Sequence, residues 1–370
     1  MPQSADYQRE RWGAFLFILP NFIGFLIFTS LPIFFSLLIS FTSWDVFTTP
    51  KFIGIRNYVE LLSFHPRNID AVITGGERML LFTFVLLAIA VPSLVLAAFF
   101  YYVKEKRQRA LKLLIAAVVL GIILFPVSRA NFGFWMANDP RFWYYGLNTL
   151  FLMLMIPVSM FGSLLLAILL NQRLPGIYLF RLLYYLPTIC TGVGIYILWM
   201  WIYNPDYGLL NGILRSTFHV EGPRWLQEIG WAKPALMLMA FWTSVGGFNC
   251  VLYLAALQGV PIELYEASEI DGANWWQKFW AIIWPLVSPT TFYIFIMSII
   301  NGFQSGFDAA YVMTQGGPAG ATTTITYYIY DQAFRNFEMG YASAISWVLF
   351  ALVFGVTLIN YKLAGKLVHY

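Results

Sequence analysis

Long apolar runs separated by short polar segments dominate the hydrophobic pattern of the 370-residue chain. A membrane helix needs roughly 20 apolar residues to cross the hydrocarbon core of a bilayer. The windows that meet this length are 13–41, 80–103, 110–128, 146–170, 179–203, 234–257, 286–310 and 341–363. The pattern therefore predicts an all-α integral membrane protein with about eight transmembrane helices.

Composition supports this class and excludes others. Hydrophobic residues make up 59% of the chain and charged residues 11%, whereas soluble domains carry about 25% charged residues. The net charge of +4 is too small and too dispersed to indicate a nucleic-acid partner. Cys190 and Cys250 both lie inside apolar windows, where thiols usually pack as small hydrophobes. Membrane lipid is therefore the expected surrounding.

The basic cluster KEKRQR at 104–109 predicts the orientation of the chain, because Lys and Arg concentrate on the cytoplasmic side of membranes. It follows the second window, so the N-terminus is expected in the cytoplasm. An even number of spans then returns the C-terminus to the cytoplasm. The predicted location is the cytoplasmic (inner) membrane, with many passes and both termini inside.

The windows lack the groups that would drive transport or catalysis. Their ionisable residues lie near the ends: Lys112, Arg181, Asp308 and Lys362. A secondary transporter needs carboxylates or histidines deep in the membrane, and a P-loop ATPase needs Gly-x-x-x-x-Gly-Lys-[Ser/Thr]. No nucleophile, acid–base pair or metal-ligand cluster is readable either. We therefore expect no enzyme activity, no metal and no cofactor in this chain, and an external energy source for any transport.

One polar stretch, PIELYEASEIDGANWWQKFWAIIWPLVSP at 261–289, has the signals of a helix–turn–helix between two apolar windows. Pro261 suits the first turn of a helix, and Asp271-Gly272 is a stop-and-turn signal. A second short helix, 274–283, is expected to end before Pro285. Three glutamates recur every third residue along one side of the first helix: Glu263, Glu266 and Glu269.

This stretch resembles the cytoplasmic loop of the membrane subunits of binding-protein-dependent ABC importers. The family pattern is Glu-Ala-Ala, Gly after three residues, and Ile-x-Leu-Pro after nine more. Here the residues are Glu266-Ala267-Ser268, Gly272 and Ile282-Ile283-Trp284-Pro285, so Ser268 and Trp284 depart from it. The resemblance implies an ATPase contact through Glu263, Glu266, Ala267, Ser268, Asp271, Gly272, Ile282 and Pro285. A solvated interhelical loop is the alternative.

Further segments resemble the carbohydrate-uptake branch, which includes maltose and glycerol-phosphate permeases. Among them are KFIGIRNY (51–58), DPRFWYYGLNTLF (139–151) and FQSGFDAAYVMTQGGP (303–318). The resemblance implies a type I ABC importer permease-like bundle with a six-helix core. Residues 63–138 interrupt it. We therefore divide the chain into an N-terminal segment with the first span (1–62), an inserted two-span hairpin (63–138) and the core permease domain (139–370).

Polar and aromatic residues in two windows are candidates for a substrate path. Amides and hydroxyls beside aromatic rings suit a sugar, although such groups also form interhelical hydrogen bonds. Asn301, Gln304 and Asp308 are expected to share one helical face. With them the resemblance implies Gly247, Phe248, Asn249, Phe303 and Ser305. The turn Gly316-Gly317-Pro318 is either structural or a contact for a docked binding protein.

Together these features predict the membrane-spanning subunit of an ATP-driven importer that passes a sugar or polyol by alternating access. The resemblance implies a second, unlike permease subunit, an extracytoplasmic solute-binding protein, and an ATPase dimer that holds ATP and magnesium. A permease for another solute, such as a polyamine, is an alternative. A channel or a membrane-embedded enzyme is the alternative from another class.

Overall fold

The computed structural model describes residues 3–66, 135–172, 175–189 and 192–367, which are mainly helical. The predicted windows 80–103 and 110–128 lie outside these residues. The N-terminal elements are α1 (Gln3–Phe25), a π-helical turn (Leu26–Ser30), α2 (Leu31–Ser40), β1 (Thr42–Ser43), β2 (Lys51–Phe52), α3 (Arg56–Leu62), β3 (Phe64–Pro66) and β4 (Trp135–Ala137).

The remaining described elements are almost all helical. They are α4 (Pro140–Met153), α5 (Met155–Leu170), α6 (Ile177–Ile189), α7 (Val193–Ile202), α8 (Leu209–Ile213), α9 (Ile229–Val245), α10 (Phe248–Gln258), α11 (Ile262–Ile270), α12 (Trp275–Lys278), α13 (Trp284–Gln304), α14 (Phe307–Ala309), α15 (Ile325–Tyr330) and α16 (Met339–Leu367). Single π-helical turns follow four of them: Leu214–Phe218, Phe279–Ile283, Ala310–Thr314 and Asp331–Arg335.

Within the described ranges, five helical stretches are long and apolar enough to cross a membrane: Trp12–Ser40, Pro140–Leu170, Ile229–Gln258, Trp275–Gln304 and Met339–Leu358. Two shorter apolar helices, Ile177–Leu186 and Val193–Ile202, occupy the predicted window 179–203. The predicted all-α membrane bundle is confirmed. The windows 179–203, 234–257 and 286–310 are not continuous helices. The backbone leaves the helical conformation at Gly192, at Gly247, and at Ser305 and Gly306.

The residues form two contact groups, and the first comprises Met1–Leu62 and Ile329–Phe350. Buried Asn57 organises the end of α2, since its Nδ2 donates to the carbonyls of Ser40 (2.8 Å) and Thr42 (3.0 Å). These carbonyls have no partner inside the helix. The Tyr58 hydroxyl bonds Ser40 Oγ at 2.7 Å. The segment after the first span is therefore a cap for that span.

The second group comprises Ser63–Tyr328 and Ala351–Tyr370. In its main core, α5 packs against α9, α10 and α13. Leu164, Ala167, Tyr253 and Val287 are at most 2% exposed there. Because these helices are membrane spans, close packing and not removal from water holds this core together. This core lies beside the candidate site.

A short antiparallel pair in the second group joins the two flanks of the predicted insertion. β3 pairs with β4 in the register Phe64–Ala137, His65–Met136 and Pro66–Trp135. The Asn138 amide extends the pair by donating to the Ser63 carbonyl at 3.1 Å. Residues 66 and 135 are therefore neighbours in space. The division of the chain at 63 and 138 itself stays a prediction.

Candidate functional site

The predicted helix–turn–helix is present as α11, a tight turn and α12. Gly272 has φ +68° and supplies the left-handed turn after Asp271. The Asn274 side chain accepts from the Gln277 amide (2.9 Å), and the Gln277 side chain accepts from the Asn274 amide (2.8 Å). This reciprocal capping box starts the second helix at Trp275. The turn geometry follows from local capping chemistry.

One prediction about this motif is wrong: the second helix does not end before Pro285. It continues from α12 through the π-helical turn Phe279–Ile283 into α13. Pro285 falls in the first turn of α13, directly after the wider π turn. A helix tolerates proline best in its first turn, and a π turn absorbs local irregularity. The motif is therefore the cytoplasm-facing end, in the predicted orientation, of a long helix that reaches Gln304.

The surface of this helix–turn–helix combines acidic and apolar residues. Glu263, Glu266 and Asp271 are exposed, and Glu269 makes an ion pair with Lys278 (Oε1–Nζ 2.9 Å) that connects the two helices. Ile270 is 87% exposed and Ile262 is 57% exposed. Exposed large apolar side chains outside a membrane span mark a contact surface when they lie close together. We call this set the acidic–apolar surface.

The opposite side of the motif packs into the protein. Ser268 is 9% exposed, and its hydroxyl donates to the Tyr265 carbonyl at 2.6 Å. Tyr265 packs against the main core, and this burial raises the pKa of its hydroxyl. Trp284, which departs from the family pattern, packs on Phe279 and Trp280 with ring centroids 6.2 and 5.9 Å away. The motif is thus joined to the helices that surround the cavity described next.

A cavity of about 550 Å³ lies among α4, α5, α7, α9, α10 and α13. Its size is within the range of about 300–1,000 Å³ for small-molecule sites. Both apolar and polar side chains line it. The polar side chains that line it are Thr149, Ser159, Tyr196, Thr243, Ser244, Asn249, Ser298, Asn301, Ser305 and Thr324.

Three helix interruptions lie at this cavity. The first is Gly192 (φ +85°), before α7, and the second is Gly246–Gly247, between α9 and α10. The third is Ser305–Gly306, where Gly306 has φ +103°. Gly192, Gly247, Ser305 and Gly306 all line the cavity. Discontinuous membrane helices expose backbone groups to a solute in many transporters.

The predicted path residues divide into two sets. Five line the cavity: Gly247, Phe248, Asn249, Asn301 and Ser305. Phe303, Gln304 and Asp308 do not. Phe303 is buried elsewhere at 4% exposure, and α13 ends at Gln304. The extended Ser305 redirects the chain, so the expected single face of Asn301, Gln304 and Asp308 does not exist.

Several polar side chains that line the cavity form no hydrogen bond in the part of the chain that the structure describes, so they do not serve to connect one helix to another. The side chains of Ser244, Asn249, Ser298, Asn301 and Ser305 form no hydrogen bond within the described residues. Thr243, by contrast, donates to the Met239 carbonyl of its own helix at 3.1 Å. The cavity therefore presents two amides and three hydroxyls that are available to a solute.

Sequence reasoning missed the contributions of α4, α5, α7 and the segment before α15. Thr149, Ser159, Tyr196 and Thr324 line the cavity from these elements. Ser159 and Ser163 at i and i+4 were a usable signal, since two hydroxyls on one face of an apolar helix mark its polar side. Thr324 carried no such signal, because its position depends on contacts far along the chain.

The segment 314–325 is held by a network of polar contacts. Asn148 Nδ2 donates to the carbonyls of Gly320 (2.9 Å) and Thr323 (3.0 Å). Thr323 Oγ1 donates to the Gly316 carbonyl at 3.1 Å. Gly316 is buried, and Gly317 and Pro318 are partly exposed. These bonds connect the turn Gly316-Gly317-Pro318 to Thr324, which lines the cavity. Contact of this turn with a binding protein stays a prediction.

Interrupted membrane helices around an uncharged polar cavity, joined to a capped helix–turn–helix, define a multi-pass permease. The model of the family described as "Binding-protein-dependent transport system inner membrane component" matches residues 130–367, more than half of the chain. The chain belongs to this family. Its fold is that of a type I importer permease.

Relatives and solved structures agree with this assignment. The chain is 29% identical over 373 residues to "Probable ABC transporter permease protein YesP" of Bacillus subtilis, with 100% of this chain and 96% of the relative covered. It is 31% identical over 244 residues to the "sn-glycerol-3-phosphate transport system permease protein UgpA" of Agrobacterium fabrum, covering 66% of this chain and 82% of that protein.

A chain of the crystal structure of a bacterial alginate ABC transporter, in complex with alginate pentasaccharide-bound periplasmic protein, has a TM-score of 0.69 to this chain. The likeness covers 98% of this chain and 97% of that one at 18% identity. The two chains therefore share a fold.

Proposed function

We propose that this chain is the membrane-spanning subunit of an ATP-driven importer that passes a sugar or polyol across the cytoplasmic membrane. The observation that carries the proposal is the cavity beside the interrupted helices, where five polar side chains have no hydrogen-bond partner within the described residues. Hydroxyl-rich solutes need donors and acceptors together, and amides and hydroxyls supply both. Transport by alternating access changes no bond in the solute.

The energy for this transport comes from a separate ATPase dimer that holds ATP and magnesium. We assign its contact to the acidic–apolar surface, because that surface is exposed on one side and packed into the cavity helices on the other. Closure of the ATPase dimer then moves the helices that end in α11 and α12. The same proposal includes a second, unlike permease subunit and an extracytoplasmic binding protein that delivers solute.

The test is solute uptake by proteoliposomes that contain this chain with its co-encoded partner subunits. We expect uptake of a saccharide or polyol that requires both ATP inside and binding protein outside. Uptake without ATP would instead indicate a channel. Chemical change of the solute without transport would indicate a membrane-embedded enzyme.

Acidic solutes are a second candidate class. One relative is named for glycerol 3-phosphate transport, and one structural neighbour for import of the acidic polysaccharide alginate. The proteoliposome assay separates the classes when neutral and acidic solutes are compared at equal concentration.

The orientation is tested independently with reporters fused along the chain. We expect a reporter after Arg109 to lie in the cytoplasm, because of the basic cluster at 104–109, and one after Asn138 to lie outside. If both reporters lie on the same side of the membrane, the insertion has one span fewer than predicted.

A further inference from the structure

We infer that the solute bound in this cavity is electrically neutral. This inference rests on the proposed function and narrows its substrate class. None of the residues that line the cavity is an acid or a base, apart from the phenol of Tyr196. A charge that leaves water must be paired or hydrogen-bonded within the new surroundings. The described residues offer an acidic sugar no cationic partner on the cavity wall.

Two basic residues of the second contact group, Lys233 and Arg181, are engaged elsewhere. Lys233 precedes the lining residues Leu236 and Met237 by one turn of α9, and its ammonium lies over the rings of Tyr144 (5.6 Å) and Phe151 (5.4 Å). Arg181 donates to the Leu170 carbonyl from Nη2 at 2.8 Å. Cation–π contacts stabilise the charge of Lys233, and the bond to the carbonyl satisfies one donor of Arg181.

The acidic residue nearest along the chain further disfavours anions. Asp308 lies between the lining residues Gly306 and Ala309, and its side chain is exposed and forms no ion pair within the described residues. A carboxylate at this position repels a carboxylate or phosphate that approaches the cavity. The charge of Asp308 therefore opposes an acidic solute.

The available side chains suit neutral hydroxyls better than anionic oxygens. Asn249 and Asn301 each supply an amide carbonyl as an acceptor together with two donors. A sugar hydroxyl uses both kinds of partner, because it donates one hydrogen and accepts others. A carboxylate only accepts, so it cannot itself pair with the amide carbonyl of either asparagine.

The experiment compares solutes that differ only in charge. Proteoliposomes with the complete complex and its binding protein are tested with neutral pentoses, hexoses, disaccharides and glycerol, each beside its uronate or phosphate counterpart. We expect uptake of a neutral solute, with its acidic counterpart roughly tenfold slower or more, which corresponds to about 1.4 kcal/mol. Equal or faster uptake of the acidic member overturns the inference and leaves the importer function intact. No uptake of any member overturns both.

A charge introduced into the cavity gives a second measurement. Asn249→Asp changes an amide to a carboxylate of the same size at the start of α10, where a helix N-terminus favours negative charge. We expect this variant to shift the preference from glucose towards glucosamine. Gln258→Glu makes the same change at the other end of α10, away from the cavity, and serves as the matched control. An unchanged preference in Asn249→Asp, or the same shift in Gln258→Glu, overturns the inference.

Discussion

The helix–turn–helix and the cavity are built by contacts of different range along the chain. The turn is held by a capping box between residues three apart and by the Glu269–Lys278 ion pair nine residues apart. The cavity wall depends on contacts such as Ile325 N to Thr149 Oγ1 (3.1 Å), which joins residues 176 positions apart. Local signals therefore predict the first region well and the second poorly.

The largest expected effect comes from crowding the interruption between α9 and α10. A Cβ on Gly246 would overlap the backbone carbonyl oxygen of Tyr184. Because backbone cannot move aside as a flexible side chain can, Gly246→Ala is expected to cost about 1–3 kcal/mol and to abolish uptake. Radiolabelled uptake and complex assembly are measured together.

Gly259→Ala is the control for this crowding. A Cβ on Gly259 would meet the Ala256 carbonyl oxygen at 3.4 Å, which is an ordinary contact distance. Gly259 caps the other end of α10. We expect uptake close to wild type. Wild-type uptake in Gly246→Ala would show that the interruption tolerates a side chain.

The next effect is loss of coupling at the acidic–apolar surface. Glu266 is exposed and makes no ion pair within the described residues, so Glu266→Lys should leave folding intact while reversing the charge at a partner contact. We expect assembled complexes whose ATPase activity no longer responds to loaded binding protein. Normal stimulation would contradict the assignment of this surface.

Gly272 tests the turn itself. A Cβ there meets no atom within 4 Å, so only the left-handed φ of +68° opposes a side chain. Gly272→Ala should cost about 1 kcal/mol and weaken coupling. Gly272→Asn is the matched rescue, since Asn adopts this conformation more readily. If both variants behave alike, the turn conformation is not what matters.

A smaller effect on uptake is expected when an amide side chain is removed from the cavity. Asn301→Ala and Asn249→Ala each remove a group available to a solute, at about 1–3 kcal/mol, which is roughly 5–150-fold in affinity. Gln304→Ala, at the end of the same helix as Asn301 but away from the cavity, should transport normally. A larger loss in Gln304→Ala than in Asn301→Ala would place the path on a different face.

The smallest effect is expected from removing residues 67–134. The β3–β4 register sets Pro66 opposite Trp135, so an Asn-Gly turn can join them. We expect uptake and ATPase coupling to persist. In the control variant, the same Asn-Gly pair is inserted after Pro66 and residues 67–134 are kept. Loss of uptake in an assembled complex would assign the insertion a role in transport.

Sequence reasoning identified the membrane class and the capped turn because both follow from short-range physics. Twenty apolar residues in a row need lipid, and Asp271-Gly272 favours a left-handed stop at the end of a helix. The same reasoning ended the second helix at Ile283, before Pro285, because proline breaks helices in general. The π turn before Pro285 was not visible in the residue types.

Only the tertiary structure decided which polar residues meet. The amino-acid pattern grouped Asn301 with Gln304 and Asp308 by helical spacing, but the break at Ser305 separates them. It also gave no reason to bring Thr149 and Thr324 to Asn301, since their approach depends on Asn148 holding the segment 314–325. Hydrophobic pattern thus determined what enters the membrane, while long-range packing and polar contacts determined the cavity inside it.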